Sequence, residues 1–557
     1  MEKNDPPTAP NGATAEPGPR AIPHWLWIAG ILLLALGLRV AQGASRDGIW
    51  RDEAQDWYLV TEAETYGDLV TSLEAEGPPP LHYFMEKAVL DVFGASMGNL
   101  IALQVVLGTI LVGLMIFVGT RCFGRATGYL AGLLTATSPF FIYYSTEPRN
   151  YSLFGILSLL HALAFLRFVN KPRARTAALW GASAGAMMLT HYYAIHVIVA
   201  AGVFFLLRER TRRGFMLATI AGATCVAVFS PWLPSFFIQS GQDLQPWAWP
   251  HLSSRFAIEA LRLPFGQKGI GVMAAGLILG IALLRGRTKS GHPAPVVAFS
   301  ALLSIALISG LTAWMLQLHH GPFNPRYLIG SAVCLVPVGC FYFAQCLSGE
   351  VTPRQRVFLR RVGAAGVALS IIFQWSDNGW TRPRTGMKKL VQRLEREERP
   401  EDLVWVGPAN FGSNFFYYYS GAATVITPPY RERVTRISWA ELPTLEEDGP
   451  LMETFFADVK SQLDSGGRVW LVLHGLVETS RQWAFREGPS NTSFSGARML
   501  HAEYHIHRRL MRLLFTHGIV MERADWPNTK YWEAVTLMLF RPRVPGDPPL
   551  ADAVESG

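Results

Sequence analysis

Residues Ile22–Asp56 read IPHWLWIAGILLLALGLRVAQGASRDGIWRDEAQD. The first part, Ile22 to Val40, approaches the roughly 20 apolar residues that a bilayer crossing needs. The second part reaches the adjacent carboxylates Asp52 and Glu53 a few residues later. A membrane span that delivers paired acids to its own surface is the reading from which the rest of the chain follows. A tail rich in Pro, Ala and Gly, residues 1–21, precedes the span and is expected to be a disordered cytoplasmic segment. The span is long enough to stay as a signal anchor.

Further apolar runs begin near residues 99, 127, 151, 177, 192, 215, 269, 294, 327 and 358. With the run at 24 they predict a polytopic α-helical membrane domain of about eleven transmembrane helices. Composition agrees: half of the 557 residues are hydrophobic and only 17% are charged, against about 25% in an average soluble domain. The deficit lies between Ile22 and Trp375, and the chain beyond it reads as soluble. The expected organisation is a membrane domain over 22–375 with a large external loop at 43–98, a small α/β domain over 376–545 and a flexible tail, 546–557. In the α/β domain Met387–Glu398 and Arg498–Thr516 read as helices. Leu403–Val406, Arg468–Leu473 and Ala534–Leu539 read as buried strands.

The net charge of +8 does not indicate a nucleic-acid partner. The basic residues cluster in short loops, Arg121–Arg125, Lys171–Arg175, Arg208–Arg213, Arg285–Lys289 and Arg354–Arg361, as cytoplasmic loops do. With the N-terminus inside, the acidic loop 43–98, the segments 146–150, 239–268 and 318–326, and the C-terminal domain all fall on the non-cytoplasmic side. The five cysteines, Cys122, Cys225, Cys334, Cys340 and Cys346, lie in or beside apolar spans and form no metal-type pair.

Five polar clusters share that external face. Trp50-Arg51-Asp52-Glu53-Ala54 places carboxylates near the membrane surface; charge alone would make them a solvated acidic face, but a carboxylate there can accept the proton of an attacking hydroxyl. Asp56 reads as one more solvated acid of this loop. Glu76-Gly77-Pro78-Pro79-Pro80-Leu81-His82-Tyr83 is a rigid turn in which Glu76 can share the site and His82 can bind phosphate or metal, or simply pack. Arg149, in Thr146-Glu147-Pro148-Arg149-Asn150-Tyr151, can snorkel to headgroups or clamp a phosphate. Thr190-His191-Tyr192-Tyr193 reads as an interfacial belt or a cavity wall, and Pro325-Arg326-Tyr327 offers a second candidate phosphate clamp.

Over about the first 350 residues the chain resembles the multi-spanning GT-C glycosyltransferases of the protein mannosyltransferase and lipid A aminoarabinose transferase type. Arg51-Asp52-Glu53-Ala54 is similar to the family's external Asp-Glu motif, and Glu76 to Tyr83 to its acidic, His, Pro-Pro-Leu segment. Arg149 to Leu153, Thr190 to Tyr193 and Pro325 to Leu328 are similar to its later motifs. The resemblance implies an inverting transfer of a sugar from a polyprenyl phosphate to a lipid, glycan or protein acceptor. It implies Asp52 as the catalytic base, Glu53 and Glu76 as supporting acids, and His82, Arg149, Tyr151, His191, Tyr192, Arg326 and Tyr327 as substrate-binding residues. One departure stands out: the family's histidine aligns with Pro78, and His82 replaces a tyrosine. A divalent cation is left open. The location implied is a cell envelope, with the bacterial inner membrane expected. The alternative is a transporter or flippase of a lipid-linked saccharide. Transport calls for ionisable groups in mid-membrane, and these spans carry few.

Overall fold

A computed structural model describes residues 23–209, 211–241, 329–348, 383–431, 433–437, 448–475, 498–527 and 533–547, with isolated positions between 357 and 372 and at 445, 479, 480 and 484. The expected spans near 269 and 294, nearly all of that near 358, the N-terminal tail and residues 548–557 lie outside the described residues. So do the site candidates Arg326 and Tyr327.

The first helix, α1 (His24–Ala44), leads into three shorter helices: α2 (Arg51–Thr61), α3 (Tyr66–Glu76) and α4 (Leu81–Phe93). The membrane part continues with α5 (Met97–Phe123), α6 (Arg125–Thr137), α7 (Pro139–Tyr144), α8 (Tyr151–Asn170), α9 (Ala174–Met188), α10 (Ala194–Arg208), α11 (Arg212–Phe229), α12 (Leu233–Gly241) and α13 (Ile329–Ser348). Among the described residues four helical segments are long and apolar enough to cross a membrane: His24–Ala44, Met97–Phe123, Tyr151–Asn170 and Arg212–Ser240. The run expected to cross from 127 is instead divided: α6 stops at Thr137, and Pro139 starts a separate short helix, as proline at the first helical turn does.

Small residues let the membrane helices approach closely. A Cβ on Gly119 would stand 2.7 Å from the Cα of Gly128, so α5 and α6 touch backbone to backbone. The spans are not wholly free of charge. Arg39 of α1 is fully buried and donates to the carbonyls of Ala35, Thr135 and Ala136. It satisfies the C-terminal carbonyls of α6, groups a helix end leaves without partners.

The helices α2 and α3 have local causes. Glu53, third residue of α2, reaches back to the Trp50 N–H at 3.2 Å. Thr65 and Asp68 cap α3 reciprocally, with the Asp68 N–H donating to Thr65 Oγ1 at 3.1 Å and the Thr65 N–H to Asp68 at 2.8 Å. Gly77 ends α3 at φ +87°, a conformation glycine adopts without strain.

The C-terminal unit is a five-stranded sheet: β1 (Leu403–Gly407), β2 (Thr424–Ile426), β3 (Val469–His474), β4 (Gly518–Trp526) and β5 (Val535–Pro542), in the order β2-β1-β3-β5-β4. β1 runs parallel to β2 and β3, whereas β5 is antiparallel to β3 and β4. All five residues of β1 are buried because helices cover both faces, the usual condition of parallel strands. Val404 and Val406 pack with Leu390, Val391 and Leu394 of α14 (Met387–Glu397) and Phe415 of α15 (Gly412–Tyr418). Leu403 and Trp405 pack with Phe455 and Val459 of α16 (Gly449–Asp464) and Leu510 and Leu514 of α17 (Arg498–His517).

Candidate active site

The acidic loop folds against the C-terminal unit, and the candidate carboxylates lie along that junction. α2 carries three acids with three different fates. Asp52 keeps 22% of its side chain exposed. Glu53 is fully buried: it pairs with Arg46 and, through Oε1, with Arg384 Nη1 at 2.9 Å. Arg384 also reaches Glu147 at 3.1 Å and the Tyr143 carbonyl at 3.1 Å, and stands over the Tyr143 ring. Glu53 is therefore the tie between α2, the α7–α8 turn and the start of the C-terminal unit, while its neighbour Asp52 stays part-exposed.

Asp56, one turn after Asp52, is buried and not the solvated acid expected of this loop. Arg149 Nη1 donates to both its oxygens, at 2.8 and 2.9 Å, and the Tyr83 hydroxyl donates at 3.2 Å. The same guanidinium places Nη2 3.7 Å from Asp52 Oδ2. Arg149 thus bridges a buried acid below and a part-exposed acid above. Burial pushes the Asp56 carboxyl up to about 7, against the pull of Arg149.

Glu76 lies at the end of α3, where Gln55 of α2 donates to it. Burial pushes its carboxyl up to about 8, and Asp56 adds to the rise. His82 of α4 is fully buried, 3.0 Å from Glu86 and 3.4 Å from the Gln104 amide of α5. Tyr151 is buried with its ring 4.8 Å from Tyr144 and 6.4 Å from His191. His191 stacks on Phe154 at 5.0 Å. The Tyr192 hydroxyl bonds Gln239 and accepts from Trp232 Nε1 at 2.6 Å, which turns it toward α12. Asp52, Arg149 and Glu76 thus come together around Asp56, whereas His82 and Tyr192 point into packed neighbours.

The C-terminal unit adds residues that the sequence reading passed over. Arg51 lies 3.5 Å from Glu533, which also accepts from the Asn414 amide at 2.9 Å. Burial lifts the Glu533 carboxyl to about 7, opposed by Arg51. Ser413 donates to the Arg51 carbonyl at 3.3 Å, and the Tyr418 hydroxyl accepts from the Ile49 N–H. Gly48, at φ +123°, makes that approach possible, since a Cβ there would stand 2.7 Å from the Tyr418 oxygen. Among the described residues no three His, Cys, Asp or Glu side chains gather as a metal site.

This architecture is that of known proteins. The structure of ArnT from Cupriavidus metallidurans bound to undecaprenyl phosphate superposes with a TM-score of 0.53 over 92% of this chain and 98% of that one, at 13% identity. Its apo form superposes with a TM-score of 0.52 over 81% and 93%, at 14% identity. The chain has the fold of the GT-C membrane glycosyltransferases. A third GT-C structure, the oligosaccharyltransferase AglB from Archaeoglobus fulgidus with an inhibitory peptide and a dolichol-phosphate, gives a TM-score of 0.52 over 95% of this chain and 75% of that one, at 10% identity. The model of the dolichyl-phosphate-mannose-protein mannosyltransferase family matches residues 77–234, from the Pro-Pro-Pro turn through α11. No curated protein sequence matches the chain. Asp52 and Asp56 lie outside the span matched by the family model, so their pairing with Arg149 rests on the geometry of the GT-C fold here.

Proposed function

We propose that the protein transfers a sugar from a polyprenyl-phosphate carrier to a hydroxyl acceptor on the non-cytoplasmic face, with inversion at the anomeric carbon. The observation that carries this reading is Asp52, part-exposed, beside Arg149, whose guanidinium is anchored from below by Asp56 and Tyr83. Asp52 accepts the acceptor's hydroxyl proton as that oxygen bonds to the anomeric carbon. The bond from that carbon to the phosphate oxygen breaks on the opposite face, and the phosphate departs as an anion. It needs no acid, only positive charge, and Arg149 supplies it. Glu53 supports Asp52 by holding α2 in place. Glu76 lies within electrostatic reach of Asp56 and Arg149, and Tyr151 packs beside Tyr144 and His191. The ArnT structure holds undecaprenyl phosphate, a carrier of the class proposed here.

The test is transfer from radiolabelled polyprenyl-phosphate sugars by the purified protein, with donor binding measured in Arg149→Ala. Loss of a charge-assisted contact should weaken donor binding by about 1.5–3 kcal/mol. Unchanged donor affinity in a folded Arg149→Ala variant would remove the clamp.

A further inference from the structure

A cleft of about 630 Å³ lies between α3 and the segment that follows β2. Ser72 and Glu76 line one wall, and Tyr430, Arg431, Arg433 and Arg436 the other. Its volume falls within the roughly 300–1,000 Å³ of ligand sites. Two of its arginines have acidic partners: Arg431 pairs with Asp458 at 2.7 Å, and Arg436 with Glu62 at 3.0 Å. Arg433 differs. It donates to the Phe416 carbonyl at 2.8 Å and the Tyr58 hydroxyl at 3.5 Å, and among the described residues it has no carboxylate partner.

The cleft's own acid does not cancel that charge. Glu76 is buried against Gln55 and holds its proton up to about 8, so near neutrality it leaves the Arg433 guanidinium without a countercharge among the described residues. Glu76 also joins the cleft to the transfer site, being within electrostatic reach of Arg436, Asp56 and Arg149. Arg149 already accounts for the donor's phosphate. A second basic centre on the C-terminal unit therefore calls for a second anion.

We propose that this cleft seats the acceptor through an anionic group, a phosphate or a carboxylate carried on a sugar, with Arg433 as its principal contact. The proposal rests on the glycosyl-transfer reading and narrows the acceptor class. Arg433 is a specificity residue here, since the transferred bond lies at Asp52.

Full-length protein in nanodiscs is titrated with glucose 6-phosphate, glucuronate and methyl glucoside, and binding is read by saturation-transfer NMR. At least one anionic probe should bind and methyl glucoside should not; the two anionic arms separate phosphate from carboxylate. Arg433→Ala should weaken the bound probe about tenfold or more, and Arg433→Lys should restore most of the loss. Thermal melting confirms folding, and Arg433→Gln replaces the alanine variant if that one does not fold. Equal binding of methyl glucoside, no anionic binding, or unchanged affinity in the folded variant would overturn the proposal. Displacement of the probe by undecaprenyl phosphate would do the same, since the cleft would then belong to the donor. Undecaprenyl-phosphate binding measured in the same Arg433 variants separates failure of this proposal from failure of the donor reading.

Discussion

At the scale of single residues, burial separates acids that look alike in sequence. Asp52, Glu53 and Asp56 lie within one short stretch, yet one stays part-exposed, one is enclosed by arginines and one holds Arg149. Glu76 carries a pH consequence. Its folded carboxyl is raised from an ordinary 4.5 to about 8, so the folded state binds the proton more tightly than the unfolded chain. Its contribution to stability is full below 4.5 and is lost as pH rises through about 8. Melting temperature should therefore fall across this interval, and Glu76→Gln should flatten the fall. Asp56 and Glu533, raised in the same direction, leave a residual slope. A wild-type profile that rises over the interval, or an unchanged slope in Glu76→Gln, would contradict the assignment. The motif around Asp52 was legible because adjacent acids beside a span are conspicuous. The burial of Asp56 was not, because its partner Arg149 is 93 residues away and an acid in an acidic loop reads as solvated.

At the scale of elements, α2 is the part on which the site depends. Its first turn leaves Asp52 part-exposed and buries Glu53, which locks against Arg46 and Arg384. Removing the Glu53 charge leaves two buried guanidinium groups short of a partner. Glu53→Gln should destabilise the protein by about 3–5 kcal/mol, read as a lower denaturation midpoint, with Tyr418 fluorescence or cross-linking reporting a loosened junction. A normal midpoint would show that the pair is dispensable. Sequence patterning found several elements well. Met387, Leu390, Val391 and Leu394 are all fully buried on one face of α14, as helical spacing predicts. Within the loop 43–98 the chain forms separate helices α2 and α3, divided where Thr65 and Asp68 form a cap. β2 has three residues and β4 alternates weakly, so neither carried a strand signal strong enough to see without its partners.

At the scale of the whole molecule, loop charge carries the proposed orientation. Glu64, exposed in the external loop, and Glu401, exposed in the C-terminal unit, should both be reached from outside when changed to cysteine in a cysteine-free background, whereas Arg125→Cys should be labelled only from the cytoplasm. Outside labelling of Arg125→Cys, or protection of Glu64→Cys, would invert the arrangement. The polytopic plan was legible because apolar runs and basic loops are local signals. The junction between loop and C-terminal unit was not, since Arg384 meets Glu53, and Arg436 meets Glu62, only across folded distance. That junction surrounds Asp52, and the central claim is that Asp52 removes the acceptor's proton. The most direct measurement compares turnover and undecaprenyl-phosphate affinity in Asp52→Asn and Asp56→Asn. Asp52→Asn should lose about a hundredfold to ten-thousandfold in turnover while keeping donor affinity, whereas Asp56→Asn should lose donor affinity because Arg149 is no longer anchored. Near-normal turnover in a folded Asp52→Asn variant would contradict the account.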